Sequence, residues 1–288
     1  MRKIYERIPR SSTNVLMLKE SSFLALFVWY TAAMSKHKAI IFDVDGTAVD
    51  SPSRELPSER LAAAVRSLGS TYYLSAATGR SWSWVKGVLE CLELEDPCIV
   101  AAGTQICNPK TGETLWECDM DSEDTDAVMA ILRTIPGCRL LYNDYSGDEY
   151  YSGGVSPDQI VLTGPVHFIN CIFIPSHAAA GVIEKLAVVE NLAITMAVSQ
   201  KENYKDILIT SKLATKEHAV AELLKLIDVE KKDAVGVGDG HNDVELFRAV
   251  GRKVAMGNAV SELKEAADEV IGDINQDGFA KFLEGLDS

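Results

Sequence analysis

The chain has 288 residues, enough for one large domain or two of ordinary size. Its net charge of −14 argues against nucleic acid as a partner, because phosphate backbones attract basic surfaces. An acidic chain that handles an anionic substrate needs a local device, such as a bound cation or a few well-placed basic groups. Six cysteines stand at 91, 98, 107, 118, 138 and 171 with no C-x-x-C pair, the pattern of reduced thiols in a cytosolic protein.

Residues 1–38 differ from the other 250: seven Lys or Arg stand against two Glu, a net of +5 that leaves −19 on the remainder. Within them Phe23–Met34 (FLALFVWYTAAM) is mostly apolar but shorter than the roughly 20 residues that cross a bilayer, so no stable membrane span is expected. Basic residues before it and Thr31-Ala32-Ala33 near its end leave an export signal open. Residues 1–37 are expected to be an extension, disordered or not native, with Met34 as a natural start and the protein cytoplasmic.

From Lys38 strands alternate with helices, the signature of a parallel sheet wound on both faces. The run Ala39–Phe42 reads as a strand buried on both faces, and it ends in Asp43-Val44-Asp45-Gly46. A helix is expected over Pro57–Leu68, a strand over Tyr72–Ala76, a helix over Trp82–Leu92 and a third strand over Cys98–Ala101. Turn residues at 108–112 then end the rhythm. Residues 113–205 read as an inserted α+β module, with helices at Ala127–Leu132 and Ala178–Val189 and strands at Cys171–Ile174 and Ile194–Val198. Alternation resumes with a helix from about Thr215, a buried strand Ala234–Val237, a helix Val244–Val250 and a last strand Lys253–Met256. The expected division is thus a split core, 38–112 plus 206–288, with a cap at 113–205.

Four signals fall at strand ends or helix starts of this core. Asp43 and Asp45 are alternate residues at the end of a strand, on a turn that Gly46 allows to fold tightly; two like charges that close need a cation or a shared proton. A bare D-x-D-G is equally a surface Asp-Gly turn. Thr78-Gly79-Arg80 follows the second strand and combines a hydroxyl, a freed backbone amide and a helix start, all suited to an oxyanion, although Thr-Gly there is also an ordinary cap. Lys216 sits in the first turn of a helix, where the dipole disfavours a cation, so another group is expected to hold it. Gly238-Asp239-Gly240-His241-Asn242-Asp243 closes the buried strand with two carboxylates four apart. Such a run suits a hard cation with oxygen ligands, and imidazole from His241 is not required.

In a doubly wound sheet ligands bind at the carboxyl ends of strands where the winding reverses, which would gather these signals into one crevice. The series FDVDGT at 42–47, TGR at 78–80, Lys216 and GDGHND at 238–243 resembles the haloacid dehalogenase superfamily of phosphohydrolases over the whole core. An insert between the second and third motifs resembles its type IIB subgroup, which includes Cof-like sugar phosphatases, sucrose-phosphate phosphatase and mannosyl-phosphoglycerate phosphatase. Ala101–Ile106 looks like the Gly-Thr-Glu-Ile stretch of the sucrose-phosphatase branch with Gln105 in place of the acid, and Asp277-Gly278 matches a further subgroup feature.

The resemblance implies a Rossmann-like core, magnesium and a small phosphorylated metabolite, with a sugar phosphate foremost. It assigns Asp43 as nucleophile forming an aspartyl-phosphate and Asp45 as general acid and then base. Magnesium is expected on Asp43, the Asp45 carbonyl, Asp239 and Asp243. Gly46, Thr78, Gly79 and Lys216 are expected to bind phosphate, and Asn242 to orient the lysine or its loop. Arg80, Lys201 and Asn203, with Glu202 between the last two, are candidates for the leaving group. A phosphomannomutase-like phosphomutase or a non-catalytic binding protein on the same scaffold are the alternatives; the TGR motif fits hydrolases better, and none of the acids is missing.

Overall fold

The computed structural model describes residues 38–50, 56–199 and 201–286. The expectations for residues 1–37, the apolar segment 23–34 included, lie outside the described residues. Among the described residues no helix is long and apolar enough to cross a membrane.

Twelve strands form three sheets among the described residues. They are β1 (Lys38–Phe42), β2 (Tyr72–Ala76), β3 (Cys98–Val100), β4 (Gln105–Cys107), β5 (Thr114–Glu117), β6 (Arg139–Tyr142), β7 (Phe168–Pro175), β8 (Leu192–Val198), β9 (Tyr204–Ser211), β10 (Ala234–Gly238), β11 (Arg252–Ala255) and β12 (Glu269–Val270). The first sheet is parallel in the order β12-β11-β10-β1-β2. The protein is therefore an α/β fold with β1 inside the sheet, as its unbroken apolar run requires: Ala39, Ile40, Ile41 and Phe42 are all fully buried. Period two gives each face its own neighbour. Phe42 meets the Phe279 ring of the helix Gly278–Glu284 at 5.1 Å. Ile41 shares a face with its register partner Gly236, and the latter lies so close to Leu246 of the Asp243–Ala249 segment and to Val250 just after it that a Cβ there would sit 2.9 Å from Val250.

The chain leaves β1 for β2 on one side and later returns to β10 on the other. The carboxyl ends of β1 and β10 thus flank the point where winding reverses.

The third expected strand is shorter and differently paired. β3 touches the parallel sheet through one bridge, Ala77 to Ile99, and then three successive residues with positive φ, Ala101 (49°), Ala102 (57°) and Gly103 (90°), turn the chain back into β4. Two alanines in the left-handed region cost about 1–2 kcal/mol each. The return is local hydrogen bonding: Ala101 N donates to Arg80 O at 2.7 Å and Ala102 N to Thr78 O at 3.0 Å. Gly103 has no alternative, since a Cβ there would lie 2.7 Å from the Thr215 carbonyl. The result is an antiparallel sheet β3-β4-β5 rather than a further parallel strand.

The four-stranded antiparallel sheet β6-β7-β9-β8 is the heart of the inserted segment. Strand β9 pairs with β7 and β8 as far as Ser211, so this sheet runs past residue 205, and β5 at 114–117 belongs with β3 and β4. One face packs under the helices Ser122–Arg133 and Ser176–Leu186, burying Ile169, Cys171, Val128 and Leu186. The other turns Phe168 and Ile172 toward the parallel-sheet core.

Candidate active site

Both central strands end in acids. The Asp43 amide donates to Val237 O at 2.9 Å, which fixes the first carboxylate beside the strand that delivers Asp239. The chain then turns at Gly46, with φ +84° and its amide 2.7 Å from Val49 O. Glycine is needed here for a second reason: a Cβ would lie 2.1 Å from an Asp239 carboxylate oxygen. Thr47 next to it donates its hydroxyl to Asp239 Oδ1 at 2.9 Å.

Lys216 opens the helix Lys216–Leu226, capped by the Thr215 hydroxyl, and its side chain is only 3 % exposed. Its Nζ donates to Asp43 Oδ1 at 2.6 Å and to Asp243 Oδ1 at 2.7 Å. Burial alone would favour the neutral amine, but the carboxylates of Asp243 and Asp43 outweigh it and hold the ammonium above its ordinary range. The other oxygen of Asp243 accepts the amides of Asp239 at 3.0 Å and Gly240 at 2.9 Å, so this buried acid shapes the turn as well as gripping the lysine.

The negative charge is in excess. Burial first, then repulsion from Asp243, raises Asp43 well above the usual carboxylate range, even with Lys216 opposing the shift. Burial and Asp243 likewise push Asp239 up to about 6 despite the bond from Thr47. Three carboxylates stand against one ammonium, which bonds two of them, and one oxygen from each of Asp43, Asp239 and Asp243 lies within 4.8 Å of the others. An all-oxygen cluster with two uncompensated charges fits a hard divalent cation such as magnesium.

The Asp45 carboxylate is not in that cluster. Arg80 binds both of its oxygens, Nε to Oδ2 at 3.0 Å and a terminal nitrogen to Oδ1 at 2.5 Å, and the guanidinium lies 5.4 Å from the centre of the Trp84 ring. Arg80 therefore sits on the second acid, its guanidinium paired with a carboxylate rather than facing open space. Thr78 is fully buried; its hydroxyl accepts the Arg80 amide at 3.1 Å, while its own amide donates to Ile99 O. Gly79 is exposed.

Asn242 stands at the start of the Asp243–Ala249 segment, and the lysine is bonded to Asp43 and Asp243. His241 is exposed and pairs with Glu262 at 2.9 Å, outside the acid cluster. The cap candidates lie on the turn before β9. The Asn203 carbonyl accepts the Ser176 amide at 3.0 Å, Glu202 is exposed, and Lys201 Nζ rests 4.0 Å over the Tyr204 ring and 5.8 Å from Phe173.

An aromatic chain that sequence reasoning missed connects that turn to the acids. Phe173 meets Tyr150 at 5.4 Å, Tyr150 stacks with Trp84 at 5.6 Å, and Trp84 lies against Arg80. Buried Asp206 fastens it, accepting the Tyr150 hydroxyl at 2.7 Å and the Phe173 amide at 3.0 Å. Only Trp84, four residues after Arg80, carried a local signal; Tyr150, on the helix Gly147–Tyr151, and Phe173, on β7, are remote from it in sequence. Just after the Thr78-Gly79-Arg80 turn, Ser83 donates its hydroxyl to Tyr145 O at 2.8 Å and its amide to Asp144 Oδ1 at 3.2 Å, and Ser81 also bonds Tyr145 O.

The family model for haloacid dehalogenase-like hydrolases matches residues 40–159 and 165–283, spanning both acid turns and the insert. The chain belongs to the haloacid dehalogenase-like hydrolases. It is 26 % identical over 264 residues to an HMP-PP phosphatase of Yersinia pseudotuberculosis, covering 86 % of this chain and 94 % of that one. A phosphoglycolate phosphatase 1 of Saccharolobus solfataricus is 41 % identical over 73 residues, where the chain spans about a third (32 %) of that relative's length. Among solved structures, a subclass IIB sugar phosphatase superposes with a TM-score of 0.68 at 20 % identity, covering 86 % of this chain and 98 % of that one. The fold is thus shared with a subclass IIB structure, and the family is one of hydrolases.

Proposed function

We propose that the protein is a magnesium-dependent phosphomonoester hydrolase that works through an aspartyl-phosphate, on a small phosphorylated metabolite of the sugar-phosphate kind. The observation that carries this reading is the convergence of Asp43, Asp239 and Asp243, with the Lys216 ammonium bonded to the first and the last.

Asp43 is the nucleophile: its carboxylate attacks phosphorus and the alcohol leaves, which splits one hard displacement into two easier ones. Asp45 gives a proton to the departing oxygen and then takes one from the water that opens the acyl phosphate. Arg80 keeps its carboxylate in one orientation for both steps. Lys216, the Thr78 hydroxyl and the amides around Gly46 and Gly79 face the charge that builds on the phosphoryl oxygens. Asp43, the Asp45 carbonyl, Asp239 and Asp243 would hold magnesium, which when bound neutralises the acids and the incoming phosphate. Residues 38–117 and 212–286 act as the core and 118–211 as the lid that reads the leaving group, with Lys201, Glu202 and Asn203 on the turn before β9.

Release of inorganic phosphate from a panel of sugar phosphates and phosphorylated small acids tests the reading. Magnesium-dependent release that disappears in Asp43→Asn is expected. Isomerised sugar phosphate without free phosphate would replace it with a mutase.

A further inference from the structure

The segment that leaves β5 forms one rung of ladder with the chain entering β7. Met120 pairs antiparallel with Val166, its amide 2.8 Å from the Val166 carbonyl. Antiparallel register then sets Asp119 opposite His167, and the two-residue repeat of extended chain brings Glu117 to the same side. Met120 and Val166 occupy the other side and are buried. The side chains follow this placement. His167 Nδ1 lies 2.5 Å from Asp119 Oδ1, and one ligand atom from each of Glu117, Asp119 and His167 falls within 4.8 Å of the other two.

The backbone that carries the imidazole is held independently. The His167 amide donates to Asn143 Oδ1 at 2.8 Å, and Asn143 Nδ2 donates to Pro165 O at 3.0 Å. The His167 and Asp119 side chains are 13 % and 30 % exposed and Glu117 is exposed, which leaves one side open to water. Among the described residues no lysine or arginine forms an ion pair with either acid, so two carboxylates share a single imidazole.

We propose that Glu117, Asp119 and His167 form a second metal site, distinct from the catalytic acids, that takes a transition-metal dication of the zinc type. One imidazole and two carboxylates leave a fourth position for water, and a nitrogen ligand favours zinc over magnesium. Glu117 closes β5 of the three-stranded sheet and His167 precedes β7 of the four-stranded sheet, so an ion here ties the two sheets at the point where the chain passes between them.

Zinc titration of the full chain by calorimetry tests this, in excess magnesium and on an Asp239→Asn background that weakens the catalytic acids as a competitor. The expected result is one zinc per chain, with affinity falling at least about tenfold when His167→Ala or Glu117→Gln is added. Glu117 is exposed, so its replacement leaves the fold intact. X-ray absorption of the zinc-loaded protein should show one imidazole that His167→Ala removes. No zinc uptake on the Asp239→Asn background, or unchanged uptake after Glu117→Gln, overturns the proposal.

Discussion

Arg80 holds Asp45 by both carboxylate oxygens, at 3.0 and 2.5 Å, in a forked geometry that only a planar guanidinium offers. A placed acid–base group contributes about 10²–10⁴ in rate, so loss of its orientation is expected to remove part of that. Arg80→Ala should lower kcat about tenfold to a hundredfold, and Arg80→Lys, a point donor, should recover little of it. Steady-state kinetics on whichever phosphomonoester the panel selects gives the answer; an unchanged kcat in both variants would separate Arg80 from Asp45's task.

Asp43→Asn should lose at least about a thousandfold in turnover, as removal of a nucleophile does. The same change should raise the thermal midpoint of the metal-free protein by a few degrees. Ionised Asp43 is disfavoured by burial and by three neighbouring acids more than Lys216 favours it, and the amide removes that cost. Melting in excess chelator reads this directly, and a lower midpoint than wild type would contradict it.

Lys216 is the sole cation bonded to Asp43 and Asp243 among the described residues, and all three side chains are almost wholly buried. Lys216→Met leaves two buried acids without a counter-charge and should cost about 3–5 kcal/mol of stability. Denaturant unfolding in excess chelator at neutral pH measures it; a cost below about 1 kcal/mol would mean the acids find another partner.

Asp239 sets a pH dependence of known sign. Its carboxyl has a folded pKa of about 6 against an ordinary value of 3.8, so the folded state holds the proton more tightly. The resulting stability is complete below the unfolded value and is lost as pH rises through about 6. In metal-free protein, wild type should therefore lose stability relative to Asp239→Asn between about pH 4 and about pH 7. Magnesium affinity runs the other way and should weaken as pH falls below about 6, because the ligand must first lose its proton. Melting curves of both proteins across this range, with and without magnesium, test both halves.

Chelation should silence turnover, and restored magnesium should raise the melting temperature of wild type but not of Asp239→Asn. Full turnover in excess chelator would count against the cation scheme.

The parts of this architecture readable in advance share a cause. β1 and β10 are buried on both faces, so they read as unbroken apolar runs, and the acids that end them stand out by contrast. β9 escaped because YKDILITS carries Asp206 at a buried position, a polar residue inside a strand that makes sense only once Tyr150 is known to bond it. The reversal at 101–103 relies on two alanines with positive φ, a conformation that alanine does not advertise. The grip of Arg80 on Asp45 joins residues 35 apart, and the motifs could place both at the site without saying that they meet.

The bonds from Ser81 and Ser83 to Asp144 and Tyr145 begin one residue after Arg80. Any swing that carries the four-stranded sheet away must break them, and with them the contact of Trp84 with Tyr145 and Tyr150. On the proposed mechanism such a swing would also slacken the hold on Asp45, since Trp84 is the ring that backs the Arg80 guanidinium.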